Sequence, residues 1–213
     1  NQNLAQGLLH WTVREETERQ IVIDAKDHVV GRLAAYVAKE LCEGNNVVVL
    51  RAEGAIFSSP IERLVKIYKN KLRKRCLVNP KKGPFHYKEP SKCLRRVIRG
   101  MLNYKGKLGN KSYARLTVCD GIPLEFEKSE KYECVHALAK TRLDPALAKC
   151  TLGDVCRKMG WNNSEILDKF EQQRKERENE EVKRIEQIHK KREELINSSS
   201  FQKELNDIVS NIE

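Results

Sequence analysis

The 213-residue sequence lacks several features that would each have announced a function. No apolar run approaches the roughly 18 residues that a membrane-spanning helix requires; the stretch 47–50 and pieces such as 21–23 are short. Seven cysteines stand at 42, 76, 93, 119, 134, 150 and 156, an odd count with no CxxC pair. That pattern disfavours a disulfide framework and a zinc ribbon. Cys42, Cys93 and Cys119 sit among apolar neighbours and read as small hydrophobes, so a reducing compartment is expected. Neither GxxxxGK[ST] nor GxSxG occurs, which removes a phosphate-cradling loop and a nucleophile elbow. The five histidines (10, 28, 86, 136, 189) are scattered. Cys134 and His136 offer only two of the four ligands a structural zinc needs, and His136 is expected at the edge of a core. Residues 1–20 carry Glu15, Glu16 and Glu18 beside Arg14 and Arg19, unlike a secretory or mitochondrial leader.

The most informative shortage is of acid. Between Arg63 and Arg115 stand 18 lysines and arginines and a single carboxylate, Glu89, for +17 in 53 residues. The whole chain is +11, so everything outside that stretch sums to −6. From Trp161 onward, 10 cations face 13 acids. A stripe this dense repels itself and creates a strong local field, whose usual counterpart is nucleic-acid phosphate.

The hydrophobic pattern gives a coarse architecture. Ile21–Asp24 reads as a strand, and Leu33, Ala34, Val37, Ala38 and Leu41 keep helical spacing up to Gly44. Val47–Leu50, β-branched and without alternation, reads as a parallel strand covered on both faces. Strand, helix and strand make a βαβ unit with a right-handed crossover. A helix is expected from Pro60 to Lys74 with Ser59 as its N-cap, and a second with Ser91 as its cap. The second carries Leu94, Val97, Ile98, Met101 and Leu102 as its apolar stripe and turns Arg95, Arg96 and Arg99 outward. Gly106 and Gly109 suggest a mobile loop, Arg115–Cys119 a third strand, and Thr151–Met159 a short helix. Ile166–Asn197 is almost free of glycine and proline and dense in charge, which predicts a long solvated helix. Ser198–Ser200 would break it before an amphipathic segment with Phe201, Leu205, Ile208 and Ile212.

A βαβ unit invites a dinucleotide reading, but the first turn, residues 24–31, holds one glycine where that fold needs several. The segment 81–90 is more informative: Phe85, His86 and Tyr87 alternate with Lys81, Lys82 and Lys88 on a backbone stiffened by Pro84 and Pro90. Such rings can stack on unpaired bases while the lysines meet phosphates. Alternatively, Phe85 and Tyr87 anchor the loop to their own domain.

Gly83-Pro84-Phe85-His86-Tyr87-Lys88-Glu89-Pro90-Ser91, followed by Arg96-Val97-Ile98-Arg99-Gly100-Met101-Leu102, resembles the signature of the universal ribosomal protein family thirteen of the large subunit, in its eukaryotic cytosolic branch. Val22-Ile23-Asp24-Ala25, Gly31-Arg32-Leu33-Ala34, Cys119-Asp120-Gly121-Ile122-Pro123, Arg142-Leu143 and the stretch 152–161 match it in order and spacing. Asn103-Tyr104-Lys105 departs from the proline and basic run usual after Met-Leu. The resemblance implies a three-layer α/β/α fold around a small parallel sheet, with a long C-terminal helical extension. It further implies no catalytic activity, no cofactor and residence in the cytosolic large subunit, with the nucleolus as the place of assembly. The expected partners are large-subunit rRNA and neighbouring ribosomal proteins, with no membrane and no small-molecule substrate. The expected division is an extension over 1–20, an α/β rRNA-binding domain over 21–160 and a charged helical extension over 161–213. Arg73, Lys74, Arg75, Lys81, Lys82, Lys88, Arg95, Arg96, Arg99, Lys105 and Lys107 are the expected phosphate contacts. His86 and Tyr87 are the expected base or ribose contacts. An mRNA-binding regulator acting off the ribosome is the alternative function, and a nucleotide-using enzyme a more remote one.

Overall fold

A computed structural model describes residues 19–196. In chain order the elements are β1 (Gln20–Asp24), α1 (Val30–Cys42), β2 (Asn46–Leu50), β3 (Ile56–Phe57), α2 (Ile61–Arg73), α3 (Pro90–Met101), α4 (Lys107–Ala114), β4 (Leu116–Val118), α5 (Ala139–Arg142), β5 (Cys150–Thr151), α6 (Leu152–Lys158) and α7 (Ser164–Ile196). The fold is mixed α/β around a small parallel sheet, and it carries a long C-terminal helix. Two compact units divide at Ser164 and Glu165. The expected break at Ser198–Ser200, the amphipathic segment from Phe201 and all but the last two residues of the stretch 1–20 lie outside the described residues.

The sheet runs in the order β1-β2-β4, all parallel, with Val22 beside Val48 and Val48 beside Thr117. Alternation along the strands sends two sets of side chains to opposite faces. Ile23, Val47 and Val49 join the main core with Leu33, Val37 and Leu41 of α1, Leu94 and Ile98 of α3, and Val155 of α6. Val22, Val48 and Leu50 face the other way, under Cys119, Ile122 and Phe126. That second cover is thin, supplied by the chain just after β4 and a single 3-10 turn at Leu124–Phe126. Gly44, at φ 104°, takes the left-handed conformation that reverses the chain between α1 and β2.

Several local expectations give way to tertiary structure. Ser59 does not cap α2; Pro60 occupies that position with no side-chain bond, and the Ser59 Oγ is buried without a partner. Ser91 lies inside α3, whose N-cap is Glu89 with Pro90 at the first turn. Met101 points outward, leaving Cys93, Leu94, Ile98 and Leu102 as the buried stripe of α3. The expected loop around Gly109 is in fact α4. A Cβ at Gly109 would stand 2.1 Å from the Asn103 carbonyl oxygen, so this glycine serves close backbone approach rather than mobility. A two-stranded antiparallel pair, β3 with β5, has no counterpart in the sequence reading.

Instead of capping α3, Ser91 is held from a distance. Asp120, in the turn after β4, accepts the Ser91 N–H at 2.8 Å and the Ser91 Oγ–H at 2.9 Å. A carboxylate at a helix start satisfies an orphan amide and meets the positive end of the helix dipole. The neighbouring Gly121 N–H donates to Glu53 Oε2 at 3.1 Å. Glu53 thus fixes the turn, the turn fixes α3, and α3 carries the arginines. Replacing Asp120 with alanine is expected to cost about 1–2 kcal/mol in urea unfolding, the usual value of a lost helix-start partner; an unchanged midpoint would contradict this linkage.

Burial pushes both Glu53 and Asp120 above their ordinary carboxyl values. The folded chain therefore holds protons that the unfolded chain has already released. The corresponding stability is complete below the ordinary carboxylate range and declines as pH rises through the raised values. Glu53→Gln, which keeps an acceptor for Gly121, is expected to lessen that decline in urea unfolding at stepped pH. Parallel curves for the variant and the parent would contradict the assignment.

Candidate nucleic-acid interface

The basic segment folds as two helices joined by a long loop, with α4 packed beyond them. α2 is amphipathic but has no fully buried residue; Leu64, Tyr68 and Leu72 only rest against the core. α3 is anchored more firmly, with Leu94 and Ile98 fully buried and Leu102 nearly so. Each such side chain stabilises by about 1.5–3 kcal/mol. That exceeds the screened repulsion between exposed cations, which fades over a Debye length of about 8 Å at physiological salt. α3 can therefore hold its arginines in place despite their mutual repulsion.

The loop between the helices is pinned at two points. The His86 Nε2 lies 2.7 Å from the Lys74 carbonyl oxygen, tying the loop to the end of α2. Arg96 Nη1 donates to the Phe85 carbonyl oxygen at 2.7 Å, tying it to α3. The tip between these anchors is exposed, with Leu77 and Val78 at 94% and 96% accessibility. Phe85 is 66% exposed, so the anchoring ring is the histidine rather than the phenylalanine or tyrosine considered from sequence.

Of the thirteen nominated residues, Arg73, Lys74, Arg75, Lys81, Lys82, Tyr87, Lys88, Arg95, Lys105 and Lys107 are exposed, whereas His86, Arg96 and Arg99 are half-buried. The structure brings Lys74, His86 and Arg96 together around the loop anchors. Arg95 and Arg99 find other partners: Arg95 lies over the Tyr113 ring at 4.7 Å and Arg99 over Tyr104 at 4.8 Å. Tyr104 belongs to the triplet that departs from the family pattern, so the departure supplies a platform for an arginine.

Sequence reasoning missed Lys71, which sits over the Tyr68 ring at 5.3 Å. The i, i+3 spacing of Tyr68 and Lys71 was the available signal. Burial, and then the charge of Arg96, pushes the Lys71 ammonium below its ordinary value. Burial raises the Tyr68 hydroxyl to about 12. Beneath them, Cys93 and Cys156 share a hydrogen bond that lowers the first thiol and raises the second.

The partners of these cations are rings and carbonyl oxygens, which fix a side chain without cancelling its charge. Among the described residues, Lys92 is the single cation between Arg63 and Arg115 with a carboxylate within salt-bridge distance, Glu89 at 2.8 Å. The surface is consequently both ordered and uncompensated, as a polyanion site requires.

The opposite possibility is a nucleotide cleft at the carboxyl ends of the parallel strands. A cavity of about 690 Å³ lies in that place, and its lining mixes Asp24, Asp27 and Glu133 with Lys26, Arg51, Lys140 and Lys149. Asp24 is paired with Arg51, whose Nε donates at 2.9 Å. Among the described residues, no group of three or more His, Cys, Asp or Glu side chains could hold a metal ion, and no helix is long and apolar enough to cross a membrane.

Residues 18–125 match the family model described as Ribosomal protein L13. That match covers half the chain and the whole basic segment. The chain belongs to the ribosomal protein L13 family. A "Large ribosomal subunit protein uL13" from Caenorhabditis elegans is 39% identical over 159 residues, 75% of this chain and 78% of that protein. A protein of the same description from Lupinus luteus is 38% identical over 174 residues, 82% and 84% of the two chains. These relatives are of the eukaryotic branch. All thirteen nominated residues fall inside the L13 family match.

Loss of the loop's histidine anchor can be tested directly. His86→Ala is expected to speed limited chymotryptic cleavage around Leu77 and Phe85 several-fold while leaving cleavage elsewhere unchanged. An unaltered digestion pattern would show that the loop is held by something else.

Proposed function

We propose that this chain is a non-catalytic structural constituent of the large ribosomal subunit, holding folded rRNA through the face built by α2, the loop after it, α3 and α4. One observation carries this reading: of 18 cations between Arg63 and Arg115, Lys92 alone has a carboxylate partner among the described residues. Such a face neutralises converging phosphates and lets RNA segments pack that repulsion would otherwise separate. Discrimination would come mainly from RNA shape, because A-form duplex hides most base edges from side chains. Arg95 and Arg99, laid on Tyr113 and Tyr104, are pre-positioned and lose little freedom on contact. Membership of the L13 family supports the large subunit as the particle, rRNA and adjacent ribosomal proteins as the partners, and the cytosol as the compartment, with assembly in the nucleolus. The described residues 161–196 have nearly balanced charge and suit contacts with protein as well as RNA.

The test is charge reversal at Arg95 and Arg99 in cells that depend on this chain. Large-subunit and 80S peaks are expected to shrink in sucrose gradients, and normal subunit yield would contradict the assigned face. In vitro, Arg95→Ala with Arg99→Ala is expected to lower the slope of log affinity against log salt on duplex RNA by about 2, near 0.9 per lost phosphate contact.

A further inference from the structure

A small cavity of about 240 Å³ opens between α2 and α3 beneath the loop, lined by Tyr68, Lys71, His86, Tyr87 and Arg96 among others. It contains two cations and two phenol rings but no acid. Lys71 and Arg96 are both half-buried, and among the described residues neither has a carboxylate partner. Holding two like charges against one recess is unfavourable unless an anion enters it. A second cavity of about 580 Å³ adjoins, sharing Lys71, His86 and Arg96 and adding Lys74, Asn70 and Pro84. The inner recess is thus joined to a broader basic groove outside.

We infer that this recess receives a single unstacked nucleotide of the bound RNA, its base against Tyr87 and its phosphate between Lys71 and Arg96. The inference rests on the RNA-binding reading above and extends it from shape recognition to capture of one extruded base. The dimensions decide the ligand class. The inner volume is below the roughly 300 Å³ at which pockets for whole drug-sized ligands begin, so it suits one flat ring system. A paired, stacked base cannot enter; an unpaired one can, and aromatic stacking accepts any base because each has a π-face. The outer groove, with Lys74 at its rim, would carry the adjoining backbone. Tyr87, at 40% exposure, is open on one side for stacking. Lys71 would be poised by its contact with Tyr68 at 5.3 Å and relieved of its proximity to Arg96 when phosphate arrives.

The experiment compares two probes on the full chain: a hairpin RNA with one bulged 2-aminopurine, and the same hairpin fully paired. The bulged probe is expected to bind more tightly and to lose fluorescence as its base stacks on a ring. Tyr87→Leu and Lys71→Gln are each expected to weaken the bulged probe about tenfold and to leave the paired probe unchanged. Tyr87→Phe, which keeps the ring, is expected to restore both the preference and the quenching. Lys107→Gln, on the outer face, should weaken both probes equally. Equal affinity of the parent chain for both probes, absence of quenching, or equal loss on both probes in Tyr87→Leu and Lys71→Gln would overturn the base-capture inference while leaving general RNA binding intact. Failure of the parent chain to bind either probe would overturn both readings together.

Discussion

Like-charge repulsion along Arg63–Arg115 is the constraint to which the rest of this structure answers. A segment of +17 cannot form a compact unit of its own, because each added cation raises the cost of bringing the others near. The chain resolves this by dividing labour. Residues before and after the segment build the parallel sheet, α1 and α6, which are apolar and nearly neutral inside. The segment contributes one well-buried stripe, on α3, and otherwise lies on the surface. Its remaining contacts with the body include partial ones, through Leu64, Tyr68 and Leu72 of α2 and Tyr113 of α4.

The choice of partners for the cations follows from the same constraint. A carboxylate beside each arginine would have stabilised the free chain and removed its attraction for a polyanion. Aromatic faces and main-chain carbonyls instead hold Lys71, Arg95, Arg96 and Arg99 in defined places and leave the net charge in being. Acids are used one layer back. Asp120 holds the start of α3 and Glu53 holds the turn that carries Asp120, so negative charge positions the basic helix without masking its outer face.

Much of this was legible in the sequence where the signal is local and periodic. The short apolar run 21–23, the helical spacing of 33–41 and the apolar run 47–50 point to β1, α1 and β2. The uneven distribution of charge marks the basic segment, and the block 83–102 marks the family. What escaped the sequence depends on distant partners. β3 and β5 are two residues each and nearly a hundred positions apart, too short for a periodic signal. Ser59 and Ser91 have the chemistry of caps, yet Pro60 and Glu89 take those positions because the serines are engaged or enclosed by residues elsewhere in the chain. Gly106 and Gly109 suggested mobility, whereas Gly109 is a glycine because the Asn103 carbonyl leaves no room for a Cβ. His86, grouped with the ligand-facing rings, also ties the loop to Lys74, a bond that spacing alone cannot reveal.

The central claim is that this uncompensated face is built into a ribonucleoprotein particle rather than adsorbed to one. Sedimentation of the tagged endogenous protein through a sucrose gradient at about 0.5 M salt tests it most directly. Loose phosphate contacts lose about 10³–10⁵ in affinity between 50 and 200 mM salt for six to ten contacts, so an adsorbed protein is stripped to the top. Retention in the large-subunit and 80S peaks is the result this account expects. Release to the top of the gradient would contradict it and leave a soluble RNA-binding protein in its place.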